Sequence, residues 1–191
     1  MATKIRIIRF GDWRIAKEVF QNAKLVKAVE DGMVDGLKKS APVIQRNIKK
    51  GIRQGRSEWP KLHPFTIAQK GSARPLIDKG SLMRAVKVDV ESRKQLFIGI
   101  ERGSRGSKGQ DLALIANVHE SGATIRVTEK MRGFLRAKGL FLRDRTKVIR
   151  IPARPFIEPA VNESVKEVKD LMIKSIRRRV ERAIKAKVRV F

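Results

Sequence analysis

From Lys4 to Phe10 the chain reads Lys-Ile-Arg-Ile-Ile-Arg-Phe, a partial alternation of apolar and cationic positions that predicts a short strand. Gly11 and Asp12 break it, and Asp12 is placed to cap a helix. From Trp13 to about Lys50 the period lengthens. Ile15, Val19, Val26, Val29, Met33, Leu37, Ile44 and Ile48 recur at intervals near three, four and seven, which predicts an amphipathic helix. Pro42 removes an amide donor from the middle of that pattern, so the helix is expected to kink there or to start again with Ser40 as its cap. Gly51 and Gly55 are expected to end it. From Arg56 to Gly80, three prolines and two glycines interrupt any period, which predicts an irregular connection. A loop this long in a small domain is usually functional or ordered by a partner.

Ser81 to Arg84 reads as one helical turn. Ala85 to Val90 and Gln95 to Ile100 alternate, predicting a hairpin that turns at Glu91 to Lys94. Gly103 to Gln110 is a flexible basic loop, after which Asp111 caps a short apolar helix through Val118 that Gly122 ends. Ile125 to Thr128 and Lys147 to Ile151 read as strands, the second stopped by Pro152. Glu129 to Arg145, between them, is strongly basic and takes no assigned form. From about Pro159 onward, Val165, Val168, Met172, Ile176, Val180 and Ile184 fall on one stripe of a long helix. The expected fold is α+β and a single domain over 1–191. An antiparallel sheet of about four strands is packed by a long N-terminal helix, kinked near Pro42, and a long C-terminal helix. Irregular insertions fall at about 56–80 and 129–150.

Composition narrows the function. A chain of 191 residues, 41% hydrophobic, suits one compact domain rather than two. No apolar run is long enough to cross a bilayer, and the N-terminus lacks an uninterrupted apolar signal region, so no membrane partner is expected and the chain should remain in the cytoplasm where it is made. The absence of cysteine excludes disulfides and thiolate chemistry. Forty-five Lys and Arg against 19 Asp and Glu give a net charge of +26, which favours a polyanionic neighbour, nucleic acid first and an acidic protein second. With 5% aromatic residues and no tyrosine, a stacking platform for single strands is disfavoured. Any nucleic-acid contact would go to backbone phosphates. Arg102, Arg105 and Lys108 in the glycine-rich loop, Lys138, and Arg177 and Arg178 on the terminal helix are the candidate phosphate contacts, with a merely solvated face as the even alternative on that helix.

Catalytic constellations do not emerge. His119-Glu120 lacks the second histidine of a helical zinc-protease motif, and His63, His119 and Glu120 form only a weak three-ligand candidate. Gly103 to Gly109 lacks the Gly-Lys-Ser/Thr of a phosphate loop, and no G-x-S-x-G elbow exists. The expectation is no catalytic residue, no metal and no cofactor.

Four stretches carry a family resemblance. They are Trp59-Pro60-Lys61-Leu62 with Thr66, Lys70 and Pro75 to Leu82; Ile115 to Ala123, containing Ala-x-x-His-x-x-Gly; Met131 to Leu135; and Ile151-Pro152-Ala153-Arg154-Pro155-Phe156-Ile157. In order and spacing they resemble the phage virion-morphogenesis (tail-completion) family, in its Mu-like branch, over about Trp59 to Ala160. The resemblance implies an α+β virion protein, made in the host cytoplasm, that forms a homo-oligomeric ring at the neck or the head-proximal end of the tail. A hexamer is favoured over a dodecamer, and the ring would help join tail to filled head. Its partners would be portal, connector or tail-tube proteins and packaged DNA. Trp59, Arg154, Pro155, Phe156, Arg132, Phe134 and Arg136 are the expected subunit or partner contacts, with Arg154 offered to a neighbouring carboxylate. Burial of Trp59 and of the Ile151–Ile157 motif within their own subunit is the equal alternative. Two rival classes remain: a general basic nucleic-acid-binding protein of ribosome-associated type, and a basic hydrolase or nuclease.

Overall fold

The computed structural model describes residues 22–188. The strand expected at Lys4 to Phe10, the Asp12 cap and the first residues of the expected N-terminal helix lie outside that range.

Helix α1, Ala23–Gln54, begins where the Asn22 side chain accepts from Lys24 N–H and Leu25 N–H, and ends at Gly55, whose N–H reaches Gly51 O. It is one continuous helix through Pro42 and through Gly51. Ser40 does not cap a second helix; its buried hydroxyl turns back onto Gly36 O at 2.8 Å. Pro42 is tolerated because its ring lies on the exposed side of the helix, where water can reach the carbonyl left without its amide.

The segment 56–80 is not wholly irregular. It contains α2, Pro64–Lys70, with proline in its first turn and His63 Nδ1 accepting from Phe65 N–H. Helix α3, Ser81–Ala85, is the expected single turn. The hairpin β1, Lys87–Ser92, with β2, Gln95–Gly99, is antiparallel and in register from Lys87 opposite Gly99 to Val90 opposite Leu96, with a shift before Ser92 meets Gln95. Helix α4, Leu112–Ser121, is capped by Asp111, which accepts from Ala113 and Leu114 N–H. Strand β3, Ala123–Arg126, pairs antiparallel with β4, Val148–Ile151. Between them the stretch with no assigned form folds as α5, Glu129–Ala137, capped by Thr128. Helix α6, Glu158–Val188, closes the fold.

Among the described residues the fold is α+β, with two long helices and four strands, but the strands form two separate two-stranded sheets, not one sheet of four. Alternation marks a strand and its apolar face; it carries nothing about which edges meet. The core joins Ile44, Ile48 and Ile52 of α1 to Val86, Val88, Leu82, Ala116, Trp59, Phe156 and Ala160.

The two long helices lie against each other through small residues. Buried positions on the first half of α1 are Ala28, Gly32, Gly36 and Ser40, spaced by four, while Val26, Val29, Met33 and Leu37 of the expected stripe are only half-buried. A Cβ at Gly32 would fall 2.6 Å from Ile176 Cα, and one at Gly36 would fall 2.5 Å from Met172 Sδ. Asn47 bonds Ser164 at 2.9 Å, and Arg179 pairs with Asp35 at 2.7 Å.

Candidate functional site

Three of the four resemblance-bearing stretches meet at one corner, where α6 begins. The Trp59 indole is 6% exposed, and its Nε1–H donates to Pro155 O at 3.0 Å. Arg154, 5% exposed, donates through Nε and Nη2 to Pro60 O at 3.0 and 2.9 Å, and through Nη2 to Lys61 O at 3.3 Å. Its backbone N–H donates to His119 O at 2.6 Å. Glu120 accepts from Phe156, Ile157 and Glu158 N–H at 3.0 to 3.3 Å, satisfying amides that the first turn of a helix leaves free. Phe156 is fully buried beneath them. Gly122 ends α4 at φ 75°, where a Cβ would press on Ile151 O at 3.0 Å. That glycine lets the α4 end approach the strand leading into Arg154.

Several expectations are corrected here. Trp59, Arg154 and Phe156 are enclosed by their own subunit, and Arg154 holds two backbone carbonyls instead of a carboxylate. Pro155, half-buried, supplies the carbonyl that anchors Trp59. His63, His119 and Glu120 do not form a ligand set: His63 caps α2 and Glu120 caps α6. Among the described residues, no group of three or more metal-ligating side chains converges.

Beside the corner lies a cavity of about 210 Å³ lined by Leu62, Lys70, Leu76, Leu82, Ile115 and His119, among others. His119 Nδ1 is enclosed there and makes no hydrogen bond among the described residues. Burial, with the positive charges of Arg154 and Lys70 behind it, lowers the His119 pKa below the usual imidazole value. Burial also lowers Lys70, against the raising effect of Asp78, and the Lys70 ammonium is held by Arg74 O. At the cavity edge Leu76 sits at φ 58° in a tight turn, with Ile77 N–H on Pro75 O at 2.7 Å, and packs against the core.

The fourth stretch lies elsewhere, on an arm formed by β3, α5 and β4. From 121 to 153 no residue is buried. Arg132, expected to face a partner, instead clamps the arm: its guanidinium donates to Arg143 O, Asp144 O and Thr146 O at 3.2, 3.1 and 2.6 Å. Phe134 and Phe141 stand 61% and 74% exposed, and Arg136 and Lys138 are exposed at the end of α5.

The loop from 103 to 110, expected to be flexible, is tied down. Gly106 N–H meets Gln110 O and Leu112 N–H meets Ser104 O, which pairs the backbone at Arg105 with that at Asp111 in an isolated antiparallel bridge. Arg102, Arg105 and Lys108 remain exposed on it, as do Arg177 and Arg178 on α6. Sequence reasoning missed the roles of Glu120 and Arg132. Nothing local signals either, because Glu120 reaches amides at the start of α6 from 36 to 38 positions away and Arg132 binds carbonyls across a turn.

Among the described residues, no helix is long and apolar enough to cross a membrane. No family model, no curated protein and no solved structure matches the chain.

Proposed function

We propose that this chain is a structural neck or tail-completion component of a tailed-bacteriophage particle, acting by assembly into a ring at the head–tail junction and not by catalysis. The observation that carries this reading is the corner. Motif residues near 59, 119 and 154, which carry the family resemblance, interlock there through buried hydrogen bonds. Such a corner is a rigid mount, and the same chain leaves an arm without any buried residue. Segments that cannot bury their own apolar side chains are completed by neighbours in many assemblies. Copies of the chain, portal or connector proteins and tail-tube proteins are the proposed neighbours.

The test is the assembled mass. Native mass spectrometry across a range of salt should give a closed ring, with a hexamer favoured over a dodecamer. A strict monomer at every concentration and salt would remove this reading and favour the alternative, a general basic nucleic-acid-binding protein, to which the net charge of +26 points. Incubation with plasmid and magnesium or manganese is expected to leave the plasmid intact, against a nuclease.

A further inference from the structure

The arm has a charge pattern that identifies its partner by chemistry. Over 123–151, nine Lys and Arg stand against two acids, Glu129 and Asp144. Arg132 is engaged by the internal clamp and by Glu129 at 3.8 Å. The other eight cations are all exposed. Arg126 and Arg150 lie on the outer face of the ribbon, where Arg126 opposes Val148 and Thr124 opposes Arg150. Lys130 and Arg136 lie on α5, and Lys138, Arg143, Arg145 and Lys147 on the returning loop. None of the eight forms an ion pair among the described residues.

We infer that this arm docks on duplex nucleic acid through its backbone phosphates. A second copy of the chain is a poor occupant of these eight cations, because like charge would face like charge, so contacts between copies in the proposed ring fall to surfaces other than these cations. Protein interfaces are depleted of charge at their centres, whereas protein–DNA interfaces are far more positive, and the arm matches the second pattern. A two-stranded antiparallel ribbon also fits the width of a major groove, about 12 Å. The arm makes no commitment to base sequence, since an arrangement of exposed lysines and arginines recognises phosphate. Its stiffness comes from Arg132, which ties the C-terminal side of the arm to α5 and so keeps the cations in fixed relation.

The experiment measures binding of the purified protein to a random-sequence DNA duplex by fluorescence anisotropy over a salt series. One variant carries Arg136→Gln, Lys138→Gln, Arg143→Gln and Arg145→Gln. A control carries Lys166→Gln, Lys169→Gln, Lys174→Gln and Lys185→Gln, all exposed on α6, removing equal charge. The arm variant should lose about tenfold or more in affinity, and its slope of log affinity against log salt should fall by about 0.9 for each phosphate that the arm no longer neutralises. The control should lose clearly less. Arg136→Glu alone should weaken binding in the same direction, independently of how the fourfold variant folds. Equal losses in the two fourfold variants, or an unchanged slope in the arm variant, would overturn the inference. An arm variant that binds DNA normally but no longer assembles would likewise overturn it, in favour of a protein contact. The inference stands apart from the ring: a monomer with arm-dependent binding supports it while sinking the ring, and a ring without arm dependence does the reverse.

Discussion

Arg154 shows how a charged side chain can be a structural tie. Its guanidinium spans two successive carbonyls, Pro60 O and Lys61 O, from a site 5% exposed. A planar fork does this and a point-charge ammonium does not. Arg154→Lys should therefore leave a buried carbonyl poorly paired and lower the unfolding free energy by about 1–3 kcal/mol, read as a shift in the urea midpoint. The neighbouring His119 gives a pH dependence. Its folded pKa is lowered by burial and by Arg154 and Lys70, so the unfolded chain binds the proton more readily. Stability should consequently fall as pH drops below the unfolded imidazole value of about 6.5, and level off below the folded value. Comparing urea midpoints at pH 7.5 and pH 5.5 (both about one unit from that value), the wild type should lose more than His119→Gln. An equal loss in both would show that the slope arises elsewhere.

Among the elements, the helix pair depends on the absence of side chains. Alanine ordinarily strengthens a helix relative to glycine by about 1 kcal/mol. At Gly32 the added methyl would meet the Ile176 backbone at 2.6 Å, so α1 and α6 must separate. Gly32→Ala is expected to destabilise by about 1–3 kcal/mol despite its better propensity, measured by thermal or urea unfolding. Gly36→Ala should cost less, because its nearest obstacle is the flexible Met172 sulfur. The same small-residue contact explains why the apolar stripe of α1 is half-exposed over its first half: the close approach is made by Ala28, Gly32, Gly36 and Ser40. The ribbon of β3 and β4 is the opposite case, an element pair held by its own hydrogen bonds and the Arg132 clamp without a buried side chain.

Over the molecule as a unit, charge is the dominant quantity. A net +26 on 191 residues makes the compact state repel itself, and the ion pairs that offset this among the described residues are few and mostly exposed, such as Arg46 with Glu167. Raising salt from about 50 to about 500 mM shortens the screening length severalfold. The thermal midpoint should then rise, by about 2–4 °C for each kcal/mol of repulsion screened. A midpoint that falls with salt would mean that the attractive pairs, Asp35–Arg179 and Arg56–Glu163 foremost, outweigh the repulsion. Such a molecule gains most from a polyanion or an acidic neighbour, which is the large-scale counterpart of the cationic arm.

Local features were legible in the residues alone. The hairpin β1–β2, the Asp111 cap of α4, the strands on either side of α5 and the terminal helix all come from period, capping chemistry and turn residues, which depend on neighbours a few positions away. Folding in three dimensions was needed to settle the sheet partition, the continuity of α1 through Pro42, and the uses of Trp59, Arg154, Glu120 and Arg132. Each of these is set by groups distant in the chain. A tryptophan in a proline-rich loop suits an outer interface or an inner corner equally until Pro155 O is brought to its indole nitrogen. An arginine between prolines suits a carboxylate or a carbonyl until the Pro60 turn is placed beneath it. Composition fixed the sign and size of the charge, and the fold gathered eight exposed cations onto one arm that it gave no core of its own.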